Sequence, residues 1–294
     1  MRPRTGAQER FSAKTLKTEG TSLKTFEELD LIQPLQRALA ELGYQKPTPI
    51  QAQAAPPALE GHDVLGCAQT GTGKTAAFAL PILDILGREQ PKTRPRRPLA
   101  LVLAPTRELA LQISASFAEY GKHISFRQTL VYGGVSQGKQ VQALARGPHL
   151  VVATPGRLLD LLEQGHIQFS DLEVLVLDEV DRMLDIGFRD EVEEIVRACP
   201  TKRQTLLFSA TISEEVAALA NVSLNKPVQL RVDPLFNVNT QLTQEFVRLK
   251  AHKEHEREAT LLSLAARTFT SRAIIFVASK ATAHRLKILF GLAG

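Results

Sequence analysis

The chain has 294 residues, 44% of them hydrophobic and 23% charged, enough for about two ordinary globular domains. This balance excludes a mainly disordered chain, and Gly at 18 residues excludes a collagen-like one. No heptad persists, no apolar run approaches the ~20 residues that span a bilayer, and Met1–Leu23 lacks the apolar segment of a secretory signal. Two cysteines, Cys67 and Cys199, cannot build a disulfide framework, so a reducing intracellular compartment is expected. The net charge of +5 is uneven: residues 1–24 and 88–97 each carry +4, leaving −3 elsewhere. The basic character thus belongs to a tail and one loop, which either attract phosphate backbones or are simply solvated.

In chain order, residues 1–24 read as a basic flexible tail. Short apolar runs then recur at Asp63–Ala68, Leu99–Ala104, Leu150–Ala153, Val174–Leu177 and Gln204–Phe208. Helical spacing fills Thr75–Leu86, Arg107–Gly121, Gly156–Glu163 and Glu214–Leu219, with Pro81 expected to kink the first. Continuous apolar strands alternating with helices predict an α/β fold, a doubly wound parallel sheet with helices on both faces and ligands at the strands' carboxyl ends. Residues 87–98, with three prolines and five bases, read as an exposed connection. The first domain is predicted over 25–232 and a linker over 233–240. Residues 241–294 read as the start of a second, truncated domain, with strands at Glu245–Leu249 and Ala273–Val277 and helices opening at Ala251–Glu258 and spanning Lys280–Leu292.

The strongest local signal is Ala68-Gln-Thr-Gly-Thr-Gly-Lys-Thr75, after an apolar strand and before a helix. Gly71 and Gly73 let backbone N–H groups turn toward phosphate oxygens, and the helix N-terminus adds positive potential. Lys74 is expected to reach the β and γ phosphates, and the Thr75 hydroxyl to bind Mg²⁺. Gln69, Thr70 and Thr72 complete the loop. The second signal is Val174-Leu-Val-Leu-Asp-Glu-Val-Asp181, a strand that delivers two acids to its carboxyl end. Asp178 is suited to hold hydrated Mg²⁺, and Glu179 to activate an attacking water. Together with Lys74 they predict nucleoside triphosphate hydrolysis, not binding alone.

The ordered set of motifs resembles the amino-terminal RecA-like lobe of the DEAD-box RNA helicases, continuously from Phe26 to Val232. Gly43-Tyr-Gln-Lys-Pro-Thr-Pro-Ile-Gln51 is similar to the family's adenine-reading Q motif, with Phe26 seventeen residues upstream of Gly43. Ala68–Thr75 resembles motif I, Pro105-Thr-Arg-Glu-Leu-Ala110 motif Ia, Gly133-Gly134 the glycine doublet and Thr154-Pro-Gly-Arg-Leu158 motif Ib. Asp178–Asp181 resembles motif II, with Val180 where the family usually has alanine, and Ser209-Ala-Thr211 resembles motif III.

The resemblance implies that Gln51 reads the adenine edge, and Phe26 either stacks on the base or packs in the core. It implies ATP and Mg²⁺ as cofactors. Thr106, Arg107, Gly134, Thr154, Gly156 and Arg157, with Pro105, Gly133 and Pro155 beside them, are implied to contact an RNA backbone. Thr154 and Pro155 also fit a helix cap and first helical residue. Ser209 and Thr211 are expected to bond the acidic motif, with Asp181, and report phosphate state.

The wider resemblance has consequences beyond the site. Arg272-Ala-Ile-Ile-Phe-Val-Ala-Ser279 is similar to the strand that opens the family's second RecA-like lobe, which supplies arginine fingers and half of the RNA groove. The chain alone is therefore expected to bind ATP, turn it over slowly and not unwind duplexes. Ala220–Pro227, Gln244–Arg248, Arg267–Thr270 and His284–Leu286 resemble the nucleolar subgroup that assists large ribosomal subunit assembly. This implies pre-ribosomal RNA, ribosome-assembly proteins as partners, a nuclear, nucleolar location and a monomer away from membranes. An RNA helicase, an ATP-gated RNA clamp or assembly scaffold, and a DNA-acting or protein-remodelling motor remain the competing functions. The Q motif and the motif order disfavour the third.

Overall fold

The structure is a computed structural model that describes residues 23–232, 245–248, 254–268 and 273–293. The chain divides into two compact units, Met1–Pro234 and Leu235–Gly294. In the first, a single helical turn at Phe26–Leu29 precedes α1 (Gln33–Glu41) and α2 (Pro49–Leu59). Strands and helices then alternate: β1 (Val64–Cys67), α3 (Lys74–Glu89), β2 (Ala100–Leu103), α4 (Arg107–Tyr120), β3 (Gln128–Val131), α5 (Gly138–Ala145) and β4 (Leu150–Ala153). They continue through α6 (Pro155–Glu163), β5 (Val174–Leu177), α7 (Val180–Ile186), α8 (Arg189–Ala198), β6 (Gln204–Ser209), α9 (Glu214–Ser223) and β7 (Val228–Arg231). The seven strands form one parallel sheet in the order β3-β4-β2-β5-β6-β1-β7. This is the α/β, RecA-like doubly wound sheet that the sequence predicted.

The period-2 geometry of a strand explains how two cores are built from runs without polar residues. In β2 and β5, Ala100, Val102, Val174 and Val176 point to one face, where they meet α2, α3 and α4. Leu101, Leu103, Leu175 and Leu177 point to the other, against α6, α7, α8 and α9. On the first face Phe78 packs at a tilt against Phe117 and Phe208, at 6.2 and 5.7 Å between centroids. Gly66 makes room for this cluster: a Cβ there would lie 2.6 Å from the Phe208 ring.

Asp63 pins the right side of the sheet. Its carboxylate accepts from Thr205 N at 2.7 Å and Asn225 N at 2.6 Å, and its carbonyl accepts from Val228 N at 2.8 Å. Replacing Asp63 by Ala strands two main-chain donors, so a loss of about 2–4 kcal/mol is expected in urea unfolding. A loss under about 0.5 kcal/mol would show that water satisfies both.

Several expectations are corrected. Pro81 does not end helix α3, which runs on to Glu89 with residues 76–84 buried along its length. The connection therefore begins at Gln90, three residues later than predicted. In the second unit, α10 (Glu254–Thr268) and α11 (Lys280–Ala293) are joined by Arg285 Nε to Glu258 Oε1 at 2.7 Å. Glu245–Arg248 and Ala273–Val277 are not strands: among the described residues neither has a ladder partner, and a strand exists only in a ladder. Phe276 is accordingly 92% exposed. The predicted linker 233–240, residues 249–253 and all of the tail except Leu23 and Lys24 lie outside the described residues.

Candidate functional site

Of the residues predicted to act on a nucleotide, Gln69–Thr75, Asp178 and Glu179 lie at the carboxyl ends of β1 and β5, with β6 between them. After β1 the chain turns through Gln69–Gly73, where Gly71 and Gly73 take φ +85° and +88°, and enters α3 at Lys74 and Thr75. The loop makes a hydrogen-bonded turn at Thr70–Gly71, where the Thr72 hydroxyl donates to Gln69 O at 2.8 Å. A glycine-rich turn at a helix start fits the oxygens of a polyphosphate. Lys74 is buried; its Nζ donates to Ala68 O at 3.2 Å and lies 3.9 Å from Asp178 Oδ1.

Asp178 is only 2% exposed. Burial pushes its carboxyl up to about 6, against the pull of Lys74. Glu179, at φ +52°, turns sharply out of β5, and its Oε1 accepts from Thr70 Oγ1 at 2.8 Å. Mg²⁺ typically takes one or two carboxylates with phosphate and water oxygens. Asp178, with the Thr75 hydroxyl on the opposing helix start, offers a donor set of that kind.

Two hydrogen-bonded bridges hold this site together. Gln51 Oε1 accepts from Thr48 N at 2.9 Å, and its Nε2 donates to Gly73 O at 3.0 Å. A Cβ at Gly73 would sit 2.5 Å from that amide nitrogen, so only glycine permits the bridge. Asp181 Oδ2 accepts from Ala210 N (3.1 Å), Thr211 N (3.0 Å) and Thr211 Oγ1 (3.2 Å), while Asp181 N donates to Ser209 Oγ at 3.2 Å. Ser209 O in turn accepts from Ala68 N at 3.0 Å. The acidic turn, the end of β6 and the start of the phosphate loop thus form one continuous chain of hydrogen bonds.

The residues predicted for RNA occupy the adjoining half of the same edge, after β3, β4 and β2. Thr106 caps α4, its Oγ1 accepting from Leu109 N at 3.2 Å, and Thr154 precedes Pro155, the first residue of α6. Pro105, Thr154 and Pro155 are buried, whereas Arg107, Gly133 and Gly134 are exposed, and Gly156 and Arg157 are half-buried. The Arg107 guanidinium lies 4.8 Å from the Tyr132 ring centroid, and Arg157 donates to Val135 O at 3.1 Å.

A model of the DEAD/DEAH box helicases matches residues 48–219. The chain belongs to that family. It is 49% identical over 272 residues to a probable ATP-dependent RNA helicase, ddx27, of Dictyostelium discoideum, covering 92% of this chain and 34% of that protein. It is 50% identical over 274 residues to DEAD-box ATP-dependent RNA helicase 28 of Arabidopsis thaliana, with coverage of 92% and 34%. The human probable ATP-dependent RNA helicase DDX27 is 43% identical over 274 residues, with coverage of 92% and 35%. The chain therefore spans about a third of the length of these relatives.

Within the DEAD-box pattern, three positions differ from simple expectation. Val180 is fully buried, in the same core cluster as Met183. Val180→Ala is accordingly expected to cost about 2 kcal/mol in stability and to leave nucleotide affinity unchanged, read by thermal melting and a fluorescent ATP-analogue titration. Weakened binding with unaltered melting would place the side chain at the site instead.

Phe26 is 4% exposed, with the Tyr44 ring edge-on at 5.8 Å, so the structure gives it the core-packing role that the sequence left open. The Gln51 amide already bonds at both ends within the protein. Reading adenine therefore requires it to exchange partners. Sequence reasoning missed the Thr70–Glu179 and Gln51–Gly73 contacts and the Ala210 N donor. Among the described residues, no group of three or more His, Cys, Asp or Glu is gathered as for a metal, and no helix is long and apolar enough to cross a membrane.

Proposed function

We propose that the first unit is the ATP-binding lobe of an ATP-dependent RNA helicase whose hydrolysis is stimulated by RNA and coupled to RNA clamping and local duplex separation. The observation that carries the reading is the buried Lys74–Asp178 pair beside the glycine-rich turn that opens α3, with Asp181 bridging to the end of β6. Bound Mg²⁺ would neutralise and polarise the phosphates. Asp178 and the Thr75 hydroxyl would hold the ion, and Lys74 would exchange Ala68 O for phosphate oxygens. Glu179, on leaving Thr70, would orient a water and take its proton. Gln51, on exchanging partners, would serve the base, with Phe26 packed in the core behind it.

Asp181, Ser209 and Thr211 would carry a shift at the acids to the end of β6. Arg107, Arg157, the Gly133-Gly134 turn and the helix starts at Thr106 and Thr154 would grip sugar and phosphate without reading bases. The names of the relatives as ATP-dependent RNA helicases support this reading.

The finer proposal is action on pre-ribosomal RNA in nucleolar large-subunit assembly, as a monomer among ribosome-assembly proteins. It is supported by the segments that resemble the nucleolar subgroup. Residues 25–232 form the helicase lobe, 233–240 the linker and 241–294 part of a second lobe. Slow turnover by this chain on its own belongs to the same proposal.

The test is ATP turnover with and without single-stranded RNA, followed by a duplex-separation assay. RNA-stimulated turnover supports the ATPase, and turnover without strand separation favours the RNA clamp. Stimulation by DNA equal to that by RNA would count against an RNA enzyme, since the 2′-OH marks RNA.

A further inference from the structure

The basic loop between α3 and β2 is built into the fold. Arg96 N donates to Leu144 O at 2.9 Å, and Arg96 O accepts from Gln168 N at 2.8 Å. Thr93 Oγ1 donates to Gly147 O at 2.6 Å, and the Arg127 guanidinium donates to both Thr93 Oγ1 (2.7 Å) and Gly147 O (2.8 Å). His149 clamps the same corner: its Nδ1 accepts from Arg127 N at 3.0 Å, which leaves Nε2–H to donate to Pro91 O at 3.2 Å. A turn closed by Arg97 N to Arg94 O sets Arg96 at φ +61°, exposed, with its guanidinium donating to Gly165 O at 3.4 Å.

This framework brings Lys92, Arg96, Arg97, Arg127 and Arg146 to one surface from three segments of the chain. Arg94 is held by Asp171. Of the other five, Lys92, Arg96, Arg127 and Arg146 are exposed and Arg97 is half-buried. All five precede β2, β3 or β4, so they stand at the amino ends of the strands whose carboxyl ends carry the RNA motifs. Strands of four residues set the two edges roughly 13 Å apart before their loops are added.

From this juxtaposition we propose that the amino-terminal edge of the sheet is a second binding surface for a phosphodiester backbone, distinct from the motif edge. Four of the five cations are arginines, whose planar forks match phosphate oxygens. Among the described residues, no large exposed hydrophobic side chain lies in loop 90–98 or at 146–149. The patch thus lacks the apolar centre that a protein partner would bury. Backbone binding here is sequence-independent and salt-sensitive, and it lets one long RNA, or a second strand, engage the lobe away from the nucleotide. The surface shares only the choice of RNA as ligand with the proposed function, and its geometry does not depend on the ATP site.

The experiment titrates a fluorescein-labelled 30-nucleotide oligo-U against the chain, without nucleotide, across a potassium chloride series. The K92Q/R96Q/R97Q/R146Q variant spares Arg127, which braces the loop. Its circular dichroism, melting and fluorescent ATP-analogue binding are expected to match the parent. Its RNA affinity is expected to fall at least about tenfold, and its salt slope by about 2–3, at ~0.7 per lost phosphate contact on a single strand. Unchanged RNA affinity and slope would overturn the proposal.

Poly-glutamate displacing the RNA as well as unlabelled oligo-U does, charge for charge, would also overturn it in favour of an acidic protein partner. Should the quadruple variant unfold, K92Q and R146Q singly, both at exposed positions, are each expected to lower the slope by about 0.7. Failure of the ATP-site reading shows separately, as analogue binding that ignores Lys74.

Discussion

Lys74→Ala is expected to weaken ATP-analogue binding at least ~100-fold and to reduce turnover to background, as losing a charge clamp on a transferring phosphoryl group does. The structure makes this position unusual among lysines. Its ammonium is buried and aimed at the strand ends, with Ala68 O and Asp178 as neighbours. Alanine removes the phosphate clamp and also leaves the buried Asp178 without its counter-charge, a second penalty independent of ligand. Asp178 then protonates more readily and serves a cation less well. Melting of the ligand-free variant separates the two effects. A moderate shift with binding lost is the expected pair, whereas binding retained within about threefold would remove Lys74 from the nucleotide site.

Glu179→Gln is expected to cut turnover by about 10³-fold while leaving analogue affinity within a few-fold of the parent, the range typical of losing a general base. The substitution keeps an oxygen able to accept from Thr70 Oγ1, so the turn at φ +52° has no reason to rearrange. It removes the basicity needed to take a proton from water. The effect should fall on kcat and spare KM, as for a group that acts only in the transition state. Turnover reduced less than tenfold would assign Glu179 to loop positioning and leave the base unidentified.

The sequence was most legible where burial is complete. Leu150–Ala153 and Val174–Leu177 are strands over the residues predicted, because a run buried on both faces can be read without knowing its neighbours. The edge strands β3 and β7 were not foreseen. Gln128-Thr-Leu-Val131 and Val228-Gln-Leu-Arg231 alternate in burial and are too short to stand out from a loop. Helix α2 hides behind Pro56 and Pro57 and a composition apolar on all sides. Helix α8 had a readable signal in Val192, Ile195 and Val196 at i, i+3 and i+4, together with an acidic first turn.

At the candidate site, the meeting of Lys74 with the acidic end of β5 was legible because a glycine-rich strand-to-helix turn and a strand ending in acids can each be read over a few positions. Asp181 meeting Thr211 followed from the family pattern. The Gln51–Gly73 and Thr70–Glu179 contacts were not legible. They join residues 22 and 109 apart, and only the strand order brings them together. The failed strands of the second unit have the same origin in reverse, since apolar sequence predicts a strand but only a neighbour makes one.

The sheet order also bears on genetics. Every motif proposed for the nucleotide that follows a strand hangs from β1, β5 or β6, and every motif proposed for RNA from β2, β3 or β4, with the β2–β5 ladder as the single seam where the halves join. That seam pairs Ala100–Leu103 with Val174–Leu177, all eight of them buried and none chemically active. Alleles that cripple one activity can therefore leave the other's scaffold intact. Separation-of-function mutants should be common on the two flanks, whereas lesions along the seam should be lost to both phenotypes at once.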